Sequence, residues 1–236
     1  QTGPRAHDAG FGSVGESMGG IRHTTGEPDR PPSRAGVGLG DAVAAMFGVI
    51  GALAAVVRAR ETGVGQEVDV AIYEAVAALM ESSMADYELA GVLRGRSGSV
   101  LPGVAPSNVY PTSDGSGVII AGNADTVFRR LCEAMGRPEL ADDPRYATHA
   151  ARGANMAELD ELIGRWTEQL TTSGVLAALS RHGVPAGQVY TAADMLTDPH
   201  YLAREMVLRV TSMQGWEVPM AGIVPRFCDT PGSVRH

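Results

Sequence analysis

The longest apolar stretch in this chain, residues 42–57, runs sixteen positions without a charge between Asp41 and Arg58. It predicts a helix over residues 41–61, stopped by the glycines of Thr62-Gly63-Val64-Gly65. At 1.5 Å per residue the run reaches about 24 Å, short of a bilayer's roughly 30 Å hydrocarbon core, so it reads as a buried helix. Residues 66–71 alternate polar and apolar as a short strand does, and residues 72–93, rich in Ala, Glu and Met, read as a second long helix. Residues 1–40, rich in Gly, Pro and Thr, show little period of either kind.

A loop follows at residues 95–106, where glycines and prolines break every pattern. A domain boundary is expected there, giving segments 1–94, 95–199 and 200–236. Residues 108–111 and 117–122 flank Asp114-Gly115 as the two strands of a hairpin. Asn123 reads as the N-cap of a helix closed by Gly136. Residues 155–170 place Met156, Leu159, Leu162, Ile163 and Trp166 at helical spacing. Helices over 172–182 and 192–196 and a hairpin around Gln214-Gly215 complete a mixed α/β pattern, with His182 capping a helix end.

Composition narrows the function. The apolar share is 44% of 236 residues and the aromatic share 5%, so a core of ordinary size must be built from aliphatic side chains and Met. The formal charge is −8 and all 19 basic residues are arginines, with no basic run. That excludes nucleic acid and anionic membrane as expected partners. Cys132 and Cys228, the two cysteines, form neither a disulfide framework nor a CxxC pair, and read as buried small hydrophobes of an intracellular protein. No His/Cys cluster suggests a metal. The chain opens at Gln1-Thr2-Gly3-Pro4 without Met or an apolar leader, which reads as a piece of a longer protein with no signal peptide.

Asp41 is the first candidate for chemistry. As the last residue before an apolar helix it suits an N-cap. The same placement fixes a carboxylate beside glycines that let a substrate approach, which suits a nucleophile. Spacing alone leaves both readings open. The surrounding motif does not. Gly40-Asp41, the apolar helix with Gly51-Ala52-Leu53-Ala54-Ala55, Arg58 or Arg60, Thr62-Gly63-Val64-Gly65-Gln66 and Val68-Asp69 together resemble class III CoA-transferases. Gln1-Thr2-Gly3-Pro4, Gly183-Val184-Pro185-Ala186-Gly187 and Arg226-Phe227-Cys228-Asp229-Thr230-Pro231-Gly232 extend the resemblance over nearly the whole chain.

The resemblance implies a Rossmann-type large domain, present in part as residues 1–94, a smaller α/β domain over 95–199, and a return toward the large domain over 200–236. It implies a cytoplasmic homodimer of interlocked chains that takes acyl-CoA and carboxylic acids as substrates and needs no metal. Asp41 then matches the nucleophile that becomes an aspartyl-CoA thioester, with Gly40 beside it. Residues 97–106 match a glycine-containing flap, with Gly98 and Gly103 as its substrate-facing hinges. This loop lacks the consecutive glycines of the formyl-CoA enzyme, which points away from an oxalate–formate pair. Two alternatives share the fold: an α-methylacyl-CoA racemase, and a truncated homologue serving as a structural subunit. The racemase histidine is replaced here by Phe11, which removes one of its two acid/base groups.

Overall fold

The computed structural model describes residues 2–234, and the chain divides into two compact units, residues 1–104 and 105–236. The break thus falls ten residues after the expected start of the second segment, because the glycine-rich loop belongs to the first unit. Residues 200–236 fall within the second.

Among its described residues the first unit is helical: α1 (Gly12–Met18), α2 (Ile21–Thr24), α3 (Leu39–Thr62), α4 (Ile72–Ala78) and α5 (Ser83–Ala90). α1 and α4 both pack against α3, and against each other. Glycines at 12, 15 and 19 line one side of α1, and they permit a close approach: a Cβ at Gly15 would stand 2.6 Å from Ile72 Cγ2, and one at Gly19 2.6 Å from Val76 Cβ. Val76 is fully buried by this contact, with Ala75 and Val43 nearly so.

Three expectations for this unit need correction. Residues 66–71 form no strand; they run beside α3, where Val68 fills the space above Gly51. Residues 72–93 are two short helices, broken at Leu79–Ser82 where Glu81 takes a positive φ of 50°. Above all, α3 is not buried. Only Gly40 and Val43 are, while Ile50 is 62% and Leu53 63% exposed, and Met46, Val49, Val56 and Val57 are also exposed. Running over Leu39–Thr62, 24 residues, and so past both ends of the sixteen-residue uncharged run, α3 is long and apolar enough by length and composition to cross a membrane. Its bareness has a simple cause: α1 and α4 cover its first turns, and no other described element of the unit lies over the rest.

The second unit carries a three-stranded antiparallel sheet ordered β1 (Ser107–Pro111), β2 (Gly117–Ala121), β3 (Ala186–Gln188), with Val109 opposite Ile119 and Ile120 opposite Ala186. Alternation places Val118 and Ile120 of β2 in the core and leaves Ile119 half-exposed. Helices α6 (Asp125–Ala134), α8 (Met156–Thr167) and α9 (Thr172–Arg181) cover that face with Phe128, Leu131, Leu159, Ile163, Val175 and Leu179. Between α6 and α8 come a 3-10 turn (Pro138–Ala141) and α7 (His149–Ala154). Beyond the sheet, α10 (Ala192–Thr197) and α11 (Pro199–Ala203) lead to a hairpin of β4 (Val207–Thr211) and β5 (Glu217–Ala221).

Polar anchors fix this unit. Asp114, in the first hairpin turn, accepts from the hydroxyls of Thr112 (2.6 Å) and Thr172 (2.9 Å) and from the Thr172 amide (2.9 Å), which hold its carboxyl down at about 2. Arg152, on α7, is fully buried. It donates to the carbonyls of Ala105 (3.1 Å), Tyr146 (2.9 Å) and Asn123 (2.7 Å) and to Asp125 Oδ1 (2.6 Å), and lies 4.7 Å over the Phe128 ring. Asn123 is therefore not the N-cap of α6; Ala124 holds that position, and the Asn123 carbonyl serves Arg152 instead. Burial pushes the Cys132 thiol up to about 12, so it behaves as an inert hydrophobe, whereas Cys228 is exposed, contrary to expectation. His182 does cap α9, its Nδ1 2.9 Å from the Ala178 carbonyl.

Candidate functional site

Asp41 does not cap α3. The helix begins at Leu39 with Gly38 in the N-cap position, so Asp41 is its third residue and its side chain takes no capping bond. The carboxylate is exposed and makes no hydrogen bond or ion pair with another described residue.

What surrounds the carboxylate is bare backbone. A Cβ at Gly12 would overlap Asp41 Oδ2 and sit 2.9 Å from Oδ1, and one at Gly38 would sit 3.3 Å from Oδ2. Glycine at both places lets the backbone lie close to the carboxylate, where a side chain would collide with it or crowd it. Phe11, just before Gly12, is 79% exposed and brings no acid or base to the place of the racemase histidine.

Gly40 lies in the packing beneath Asp41. A Cβ there would stand 2.9 Å from Glu16 Cγ and 3.0 Å from Ile72 Cγ2, so α1 and α4 meet α3 at this residue. Glu16, on α1, is 2% exposed and accepts a 3.2 Å hydrogen bond from the Gly40 amide. Its other oxygen takes 2.9 Å contacts from Nε and Nη2 of Arg22. The Gly40 amide, and then Arg22, hold the Glu16 carboxyl below its ordinary range against the opposing effect of burial.

Gly98 and Gly103 belong to a loop with its own internal bonds. The Gly98 amide donates to the Gly26 carbonyl (3.0 Å), and Arg96 Nε donates to the Glu27 carbonyl (3.1 Å), so the start of the loop is tied to residues 26–27. Both glycines have left-handed backbone, with φ of +65° at Gly98 and +79° at Gly103. A side chain at Gly98 would meet Glu27 Oε2 at 2.8 Å; one at Gly103 would meet open space. The structure thus brings Gly40 and Asp41 together at one helix end, while Gly98 lies against residues 26 and 27.

Glu16 and Arg22 escaped the sequence reading because α1, seven residues long and rich in glycine, carries no apolar period. The available signal was the glycines themselves, at 12, 15 and 19, which repeat with helical spacing and mark a face of close contact. No group of His, Cys, Asp and Glu able to hold a metal occurs among the described residues.

The pattern of CoA-transferase family III matches residues 1–236 of this chain. The succinyl-CoA–D-citramalate CoA-transferase of Chloroflexus aurantiacus is 53% identical over 234 residues, 99% of this chain and 58% of that protein. The succinate–glutarate CoA-transferase of Agrobacterium fabrum is 34% identical over 219 residues, 93% of this chain and 54% of that protein. The crystal structure of a CaiB/BaiF family protein from Brucella suis superimposes with a TM-score of 0.80 at 37% identity, covering 98% of this chain and 59% of that one. The chain spans a little over half the length of the curated relatives it matches.

Proposed function

This chain belongs to CoA-transferase family III, and we propose that the protein carrying it moves coenzyme A between an acyl-CoA and a carboxylic acid through an aspartyl thioester on Asp41. The observation that carries this reading is an exposed carboxylate, without a hydrogen bond or ion pair to another described residue, at the start of α3 against the bare backbone of Gly12 and Gly38. The Asp41 carboxylate attacks the donor thioester and expels CoA thiolate, giving a mixed anhydride. The thiolate then attacks the aspartyl carbonyl, leaving aspartyl-CoA and the free donor acid. The acceptor carboxylate attacks that thioester and expels CoA thiolate, giving a second mixed anhydride; the thiolate then attacks the acceptor's acyl carbon, forming the product thioester and freeing the Asp41 carboxylate. Each direct exchange becomes a pair of easier steps with CoA held nearby, and none of them calls for a metal.

Both curated relatives described above are named for transfer between dicarboxylic acids. We therefore propose a succinyl-CoA donor and a short dicarboxylic acid as acceptor. We read residues 1–104 as the helical part of a Rossmann-type large domain in a cytoplasmic homodimer of interlocked chains. The apolar face of α3, uncovered within its own unit, supports that reading.

The test is a trapping experiment. The whole protein incubated with succinyl-CoA and then borohydride or hydroxylamine should carry its modification on the peptide containing Asp41. Transfer that proceeds with that peptide unmodified under every trapping condition overturns the proposal. Proton exchange separates the racemase reading: in deuterated water the α-proton of a 2-methylacyl-CoA should stay in place.

The loop at 97–106 is proposed as the lid over the anhydride, with Gly98 and Gly103 absorbing its movement. Gly103→Val meets open space, so its effect comes only from the left-handed backbone, which costs a β-branched residue on the order of 1–2 kcal/mol. Gly98→Val adds the clash with Glu27. In both variants acyl-CoA hydrolysis should rise relative to transfer at saturating substrates. An unchanged ratio in both makes the loop a passive connector.

A further inference from the structure

Gly40 is where the nucleophile's placement is decided, and the group that holds it comes from another helix. α3 lacks a side-chain cap of its own: Gly38, in the N-cap position, has no side chain to offer. The amide of Gly40, one of the first-turn donors a helix leaves unmet, is satisfied instead by Glu16, 24 residues earlier in the chain. Glu16 is itself immobilised. Its side chain is buried, its second oxygen is engaged by two nitrogens of Arg22, and a Cβ on Gly40 would overlap its Cγ. Arg22 sits on α2, next along the chain from α1, with its guanidinium side only partly exposed.

We infer that Glu16, clamped by Arg22, is the positioning residue that sets the first turn of α3 and thereby the direction of the Asp41 carboxylate. This rests on Asp41 being the nucleophile. The geometry leaves few other means of setting it. Asp41 has no hydrogen bond from its neighbours to aim it, so the helix start must do so through the backbone. The peptide between Leu39 and Gly40 is fixed by the Glu16 bond, and Gly40, which leads directly into Asp41, is packed against Ile72 and Val76. A buried carboxylate is a costly way to cap a helix where an ordinary serine at residue 38 would serve. Such a serine, however, would bring a Cβ within 3.3 Å of Asp41 Oδ2 and crowd the carboxylate. Capping from α1 keeps the approach clear.

The experiment uses the whole protein with Glu16→Ala, Glu16→Gln and Arg22→Gln, and Asp41→Asn as the control for the parent reading. Steady-state kcat and KM for succinyl-CoA are measured with the single-turnover rate of aspartyl thioester formation and the melting temperature. Misplacing a reacting group by about an ångström can cost on the order of a hundredfold in rate, so Glu16→Ala should lower kcat and thioester formation at least about tenfold, with KM within about twofold. Glu16→Gln keeps an oxygen for the Gly40 amide and should recover to within about threefold of the parent. Should Glu16→Ala fail to fold, Arg22→Gln, which frees the Glu16 carboxylate without removing it, should lower kcat about threefold or more at unchanged KM.

A melting temperature that falls while kcat of the folded protein stays at the parent value makes Glu16 a merely structural residue and overturns the inference. So does a Gln variant as slow as the Ala variant, since the accepted hydrogen bond is then not what matters. If Asp41→Asn retains activity, it is the nucleophile reading that has failed, whatever the Glu16 variants show.

Discussion

Asp41→Asn should yield a folded protein whose CoA transfer is slower by at least about three orders of magnitude, roughly 4 kcal/mol in the barrier. The size of the effect follows from what the substitution removes. The amide is nearly isosteric and Asp41 makes no bond to another described residue, so nothing in the packing of α1, α3 and α4 depends on its charge. An amide oxygen is, however, too weak a nucleophile to open a thioester, and exposure of the site offers no second carboxylate at the same bare surface of Gly12 and Gly38. Turnover measured with several independent preparations, after mass spectrometry has excluded deamidation back to Asp, decides the matter. Near-parental rates would remove Asp41 from the mechanism.

Arg152→Met should have the largest effect on stability, a loss of about 3–5 kcal/mol in the second unit. Methionine keeps most of the buried volume and the contact with Phe128. It leaves the carbonyls of Ala105, Tyr146 and Asn123 without the donors that reached them at 2.7–3.1 Å. Those three carbonyls come from three separate stretches of chain, and no rotation of one side chain can satisfy them all. Asp125→Asn, by contrast, should cost far less, because Asp125 is mostly exposed and water replaces the arginine. Denaturant midpoints for the two variants test the ordering. Equal losses would show that the ion pair, rather than the carbonyl bonds, gives Arg152 its importance.

Most of the second unit is legible in the order of its residues. β1, β2, α6, α8 and α9 each bury one side of an alternating or helical pattern, so burial is written into the order of apolar residues. The first unit resisted for the opposite reason. α3 is apolar on every side, and a uniformly apolar helix carries no mark of which side is covered, so burial was expected where exposure is found. Residues 66–71 alternate as a strand does, yet a strand exists only beside a partner, and none of the described residues provides one. At the site, Asp41 stands inside the motif that carries the family resemblance. The contact between Glu16 and the Gly40 amide has no such mark, because it spans a 24-residue separation that only folding closes.

The bare side of α3 gives this helix two different kinds of dependence. Its first turn is held from within, by Glu16, Ile72 and Val76. Its later turns expose Ile50, Leu53 and Val57, with Val68 packed at Gly51, and apolar area left in water forgoes roughly 25 cal/mol per Å². The first turn, where Asp41 sits, and the far length of the helix thus meet separate surfaces. Anything that covers the far turns is linked by mass action to the stability of the near one. A surface of that kind would convert association into order at the Asp41 carboxylate, with no atom of the covering element needing to reach it.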